Sequence, residues 1–200
     1  MQIKKVVLTG GPCGGKSTTI KAIQVEFGDK VVVVPEAATI LLSGGFPTPG
    51  GNLPWSEEWQ ANFQATILTL QKSLEQIHEQ IAKNIGATLL VCDRGIMDGA
   101  AYTPGGPSEF TATHNIVEDE TVARYEAVIH LESLATARPE LYGKGNNEHR
   151  MESLEEAQAL EAKTRKAWAS HPKHMVIDGT KGINKTITKV VAEVKQFLAS

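Results

Sequence analysis

Short apolar runs alternate with longer stretches of helical periodicity along the chain. The runs are Ile3 to Thr9, Val31 to Val34 (VVVV), Thr88 to Cys92 (TLLVC), Ala127 to Leu131 (AVIHL) and His174 to Ile177 (HMVI). Runs this short, apolar at successive positions and rich in β-branched residues, fit parallel strands buried on both faces. Between them the pattern predicts a helix over Lys16 to Phe27, stopped by Gly28, and a long one over Glu57 to Lys83. In the long helix Trp59, Phe63, Ile67, Leu70, Leu74, Ile77 and Ile81 recur every three or four residues, which predicts a single apolar face. Ser56 can cap its start and Gly86 can stop it. Further helices are expected over Glu152 to Ser170, ended at His171-Pro172, and over Ile183 to Leu198.

Strand alternating with helix argues an α/β fold, a doubly wound parallel sheet with ligands at the carboxyl ends of its strands. Two hundred residues make one domain, 1–200. Three Gly/Pro-rich or polar segments, Ser43 to Trp55, Thr103 to Ser108 and Arg138 to Asn147, read as loops, and the first and third are long enough for lids or binding loops. There is no internal repeat.

Composition narrows the function classes. Apolar residues are 41% of the chain, and the net charge of −3 comes without a basic cluster, so neither a nucleic acid nor a membrane surface is an expected partner. Two cysteines, Cys13 and Cys92, do not make a disulfide framework, and the expected location is the reducing cytoplasm. The N-terminal apolar run is too short for a signal peptide, and it leads straight into a motif.

That motif is G-x-x-x-x-G-K-[ST], met by Gly10, Gly15, Lys16 and Ser17 in GGPCGGKS. Glycines let the backbone wrap a polyphosphate so that N–H groups point inward, and the following helix adds its positive end. Gly10, Gly11, Pro12, Cys13, Gly14, Gly15, Lys16, Ser17 and Thr18 are the expected phosphate-binding residues. Lys16 reaches the β- and γ-phosphates, and the Ser17 hydroxyl takes a Mg²⁺ position. The motif follows a strand and opens a helix, which is its required context. A nucleoside triphosphate is therefore the expected ligand, ATP first and GTP possible.

Asp93 ends the third apolar run, where P-loop proteins hold Mg²⁺ directly or through water. Arg94 follows it, where motor ATPases carry a second acid, and a guanidinium there suits neutralising transferred charge. A structural salt bridge is the other reading of Arg94. Glu36, in VPEAA just past the second strand, could accept a proton from a substrate hydroxyl, or could simply favour a helix dipole. Cys13 reads as a small loop filler or as a thiol under redox control. The histidines show no metal-ligand spacing.

GGPCGGKST, VPEAA, CDRG and the Gly-rich segment ending at Arg150 together resemble the P-loop kinases of nucleosides and nucleotides, most of all the NadR-like ATPase/kinase family with its ribosylnicotinamide kinase domains. The resemblance runs from Lys4 to the last helix. It implies a three-layer αβα sandwich on a five-stranded parallel sheet of order 2-3-1-4-5, with a lid near 138–151. It implies Glu36 as base and Arg150, with Arg138 as second candidate, as lid arginines. Phe63-Gln64 is similar to a Phe-Gln pair that contacts the acceptor base in deoxyribonucleoside kinases, although Phe63 also reads as core. The acid-Arg-Ser motif of those enzymes is matched by Asp93 and Arg94, with Gly95 in place of serine. The loop after Ile40 and the stretch GIMDGAAY depart from that pattern, which leaves the acceptor open. Asp98 and Tyr102 either line its pocket or pack it. Gly179 and Thr180, after the fifth strand, are expected near the nucleotide base.

Two functions fit these residues. One is a kinase moving the γ-phosphoryl of ATP·Mg to a hydroxyl of a nucleoside-like or other small acceptor. The other is a regulatory ATPase or GTPase switch without an acceptor. The guanine reader N-K-x-D is not completed by Asn184-Lys185-Thr186-Ile187. The oligomeric state is not written in the sequence.

Overall fold

All five apolar runs form strands, and they lie side by side in the order β2-β3-β1-β4-β5. The computed structural model describes residues 3–142 and 153–199. The strands are β1 (Lys4–Gly10), β2 (Val31–Val34), β3 (Leu89–Asp93), β4 (Ala127–Leu131) and β5 (His174–Ile177). Every pairing is parallel; Val6 stands opposite Val91 on one side and Ala127 on the other. β1 is central, so the loop leaving its carboxyl end sits at the middle of the sheet's ligand edge.

Alternate strand residues feed two cores. Val7, Leu90, Cys92 and Val128 face one layer with Met97, Phe110 and Trp168. Val6, Leu8, Leu89, Val91 and Ile129 face the other with Ile20, Ile23, Val190 and Val194. The second layer is built by helices α1 (Lys16–Phe27) and α8 (Ile183–Ala199). The first is built by α3 (Glu57–Ile85), α7 (Leu154–Ala167) and a 3-10 helix, Ile96–Tyr102. Ser56 caps α3 by accepting from the Trp59 N–H at 3.1 Å, and Gly86 ends it in the left-handed region at φ 77°. No helix among the described residues is long and apolar enough to cross a membrane.

Several short helices escape the apolar pattern: α2 (Ala37–Ser43), α4 (Pro107–Thr113), α5 (Glu118–Val122) and α6 (Leu134–Ala137). With one or two turns each they are too brief for a 3.6-residue period to register. Thr103 to Ser108 is accordingly not all loop, since α4 begins at Pro107. The expected helix to Ser170 ends at Ala167.

The inward face of α3 differs from the expected one. Phe63, Gln64, Leu68, Gln71, Glu75 and Ala82 are buried, whereas Ile77, Ile81 and Ile85 are exposed. Polar residues point inward because partners wait for them. Glu75 takes hydrogen bonds from the Tyr125 hydroxyl (2.6 Å) and from Arg124 (2.9 Å), and Lys5 lies 3.7 Å away. A buried carboxylate with such partners outcompetes an apolar stripe in setting the rotation of the helix.

Candidate functional site

The phosphate loop turns away from β1 at Gly10, which adopts φ 145°. A β-carbon there would stand 2.2 Å from the Leu131 carbonyl oxygen, so the close approach of loop to β4 requires glycine. Gly15 and Cys13 also take positive φ, 80° and 61°. This run of turns directs the loop over the start of α1, whose free N–H groups favour an anion. Ser17 and Thr18 are exposed on the first turn of α1. Burial, and then the charge of Arg94, lower the pKa of Lys16 from 10.5 to about 8. A cation so disfavoured gains from an arriving polyphosphate.

At the end of β3, Asp93 is raised from 3.8 to about 6, first by burial and then by the negative charge of Glu36. Its Oδ1 is buried without a hydrogen-bond partner among the described residues. Arg94 follows in the left-handed region at φ 67°, a conformation costing a non-glycine residue about 1 kcal/mol or more. The strained turn aims its guanidinium back across the sheet edge. Nε donates to Glu36 Oε1 at 2.6 Å, and Nη1 donates to Asp98 Oδ1 at 3.1 Å and to the Gly10 carbonyl at 3.4 Å. The surrounding Tyr102, Asp98 and Glu36 oxygens outweigh burial and hold Arg94 charged.

Glu36 precedes α2, where the dipole favours a carboxylate. Burial alone would raise its pKa; Arg94, the Thr39 hydroxyl bonded to Oε2, and Lys16 more than reverse this, so it stays ionised. Asp98 is 3% exposed and already engaged. The Thr9 hydroxyl and Arg94 reach its Oδ1, while the Gly95 N–H (2.9 Å) and the Trp168 indole N–H (3.1 Å) reach Oδ2. Its bonds hold Arg94 and the 3-10 helix in place.

Two cavities flank the loop. On the β4–β5 side a 430 Å³ cavity is lined by Cys13, Gly14, Gly15 and Thr18, with Ala137 and Arg138 on one wall and Gly179 and Ile183 on another. On the β2–β3 side a 240 Å³ cavity is lined by Glu36, Phe63, Gln64, Arg94, Asp98 and Tyr102, among others. All six residues expected at the acceptor therefore meet around one space. Phe63 lines the cavity and also packs on Trp59 and Phe46, with ring centroids 5.1 Å apart in each case. Those rings, and the Trp59 indole N–H donating to the Pro47 carbonyl at 2.8 Å, pin the Gly/Pro loop after α2. Thr180 does not line the nucleotide-side cavity; its N–H donates to Asp178 at 2.7 Å. Arg150, and with it most of the expected lid, lies outside the described residues.

Sequence reasoning missed several contributors. Glu132, Leu134, Gly182 and Thr186 also line the nucleotide-side cavity. Glu161 supports it from behind: Oε2 accepts from the Ser133 N–H (3.0 Å) and the Thr136 hydroxyl (2.7 Å) at the start of α6. A carboxylate in the middle of a helix gives no signal of such a role. Trp168 is fully buried, and its indole N–H is the donor that fixes Asp98.

The two cavities lie on either side of a loop that offers N–H groups and an ammonium at the sheet's ligand edge. No curated protein matches the chain. Residues 5–185 match the family model of an AAA domain; the chain belongs to that family and is a nucleotide-binding P-loop protein.

Proposed function

We propose that this protein is a phosphotransferase that moves the γ-phosphoryl of ATP to a hydroxyl of a small, nucleoside-like molecule. The single observation that carries this reading is the second cavity. Water needs no compartment of its own, whereas 240 Å³ walled by Phe63, Ile67 and Tyr102, with Glu36 and Arg94 at its phosphate side, suits an organic acceptor. The NadR-like resemblance points the same way.

In this reading the nucleotide base and ribose occupy the cavity at Ala137, Arg138, Gly179 and Ile183, and the triphosphate lies along the loop toward Arg94. Mg²⁺ fits the residues present: Asp93 Oδ1 is buried and unpartnered, and the Ser17 hydroxyl is exposed where the helix begins. When bound, the ion supplies charge neutralisation at the β- and γ-phosphate oxygens. The acceptor oxygen bonds to the γ-phosphorus as the bond to the bridging oxygen of ADP breaks, and its proton passes to Glu36. Because Arg94 and Thr39 keep Glu36 ionised, it is ready to accept that proton at neutral pH. Lys16 and Arg94 spread the charge of the moving phosphoryl group. Arg150 is proposed to add a further positive charge from the segment before α7.

The family match favours a second reading, nucleotide hydrolysis without an acceptor. Labelled ATP incubated with a panel of nucleosides, nucleotides and other hydroxyl compounds separates the two. The proposal expects label in an organic product; label appearing only in inorganic phosphate across the panel refutes it.

A further inference from the structure

Arg94 holds a left-handed backbone at φ 67° without being glycine. Such a conformation persists only where the surroundings over-determine it, and it clusters at functional sites. Here the main chain around Arg94 is held from elsewhere in the fold. The Arg94 N–H donates to the Leu8 carbonyl at 3.1 Å, and the Gly95 N–H donates to Asp98. Two further groups of the turn lead to one buried carboxylate. The Arg94 carbonyl accepts from Gln71 Nε2 at 3.2 Å, and the Ile96 N–H donates to the Tyr125 hydroxyl at 3.2 Å. Gln71 Nε2 also donates to Glu75 Oε1 at 3.2 Å, and the Tyr125 hydroxyl donates to the same oxygen at 2.6 Å.

Gln71, Glu75 and Tyr125 are all buried. A carbonyl only accepts, so the Arg94 carbonyl requires the NH₂ end of the Gln71 carboxamide, and Glu75 takes the second hydrogen of that end. Glu75 Oε2 is occupied by Arg124 at 2.9 Å, with Lys5 3.7 Å away. Well-packed apolar side chains would stabilise the fold as well as such a buried polar network does, so its remaining use is to specify one geometry. The geometry it specifies is that of the turn at 94–96. Gln71 lines the same cavity as Glu36 and Arg94.

We propose that Gln71 and Tyr125, both anchored on Glu75, are positioning residues for the movement of the phosphoryl group. They clamp the turn at 94–96, so that Arg94 stays left-handed and its guanidinium stays on Glu36. The clamp acts on the main chain, whereas Glu36 and Asp98 Oδ1 hold the guanidinium itself. Without the clamp the turn relaxes toward the ordinary regions of negative φ, and the side chain leaves Glu36. The consequence for catalysis rests on the phosphotransferase reading; the clamp itself does not.

The Arg94 Nε–H signal in a ¹⁵N–¹H correlation spectrum, assigned by its loss in Arg94→Lys, reports on the guanidinium in the nucleotide-free protein. Gln71→Met removes the donor at similar length, and Tyr125→Phe takes its place should that variant fail to fold. Thr164→Val, which removes a buried hydroxyl bonded within α7, is the control for general loosening. The Nε hydrogen is expected to exchange with water at least about tenfold faster in the clamp variant and at the wild-type rate in the control. ATP consumption at saturating ATP, with any acceptor the panel yields or with none, is expected to fall at least about tenfold, while calorimetric ATP affinity stays within about threefold. Exchange as in wild type, equal acceleration in the control, unchanged turnover, or affinity falling as far as turnover overturns the proposal. The exchange measurement needs no phosphoryl transfer, so it fails separately from the panel assay. Faster exchange and slower ATP consumption, with label never reaching an organic compound, would uphold the clamp and refute the organic acceptor.

Discussion

Arg94 Nε lies 2.6 Å from Glu36 Oε1, although the two residues are separated by 58 positions in the chain. The pair joins the ends of β2 and β3 beside the phosphate loop and keeps a carboxylate ionised facing a cavity. Glu36→Gln keeps the shape and removes the base. We expect turnover to fall by roughly 10²- to 10⁴-fold with ATP affinity changed by no more than about threefold. Steady-state kinetics alongside ATP titration checks this; equal losses in both would place Glu36 in nucleotide binding instead.

Gly95 stands where the resemblance expects a serine, and the structure gives the reason. A β-carbon there would lie 2.7 Å from Val7 Cγ2 and 2.8 Å from Trp168 Cζ2. Both neighbours are fully buried and cannot give way cheaply. Gly95→Ser is expected to destabilise the fold by about 1–3 kcal/mol, seen as a lower denaturation midpoint at unchanged slope.

The pKa of Lys16 is lowered from its ordinary 10.5 to about 8, and in the proposed reading it is the ammonium form that holds the phosphates. Its charged fraction therefore falls as pH rises through 8. ATP affinity is expected to be about tenfold weaker at pH 9 than at pH 7, with proton uptake on binding. Titrations in two buffers of different ionisation enthalpy measure both quantities.

His174 is lowered from 6.5 to about 4 by burial and then by the nearby His130. The unfolded chain takes up this proton before the folded one does. Stability is thus expected to decline as pH falls from about 6.5 to about 4, by roughly 2 kcal/mol from this residue. His174→Gln should flatten that part of the profile.

The strands were legible because each is a short apolar run, and the parallel sheet order followed from the family resemblance. The phosphate loop was legible because its chemistry fixes residue types at fixed spacing. The rotation of α3 was not, because two of the residues that turn it inward, Gln71 and Glu75, pair with distant groups, the Arg94 carbonyl and the Tyr125 hydroxyl. Asp98 could be named from the sequence, but its hydrogen bond with Trp168 joins positions 70 apart, and no local pattern encodes it. Glu36, Arg94 and Gln64 were found through motif and resemblance; that they surround one cavity needed the fold.

The central claim is that the γ-phosphoryl of ATP passes to an organic hydroxyl beside Glu36. The most direct measurement follows γ-labelled ATP with a small-molecule cell extract as acceptor pool, resolving products by mass. The account predicts a labelled phosphoryl group on a hydroxyl compound, formed by wild type and greatly reduced in Glu36→Gln. Label released solely as inorganic phosphate, at the same rate in both proteins, would contradict it.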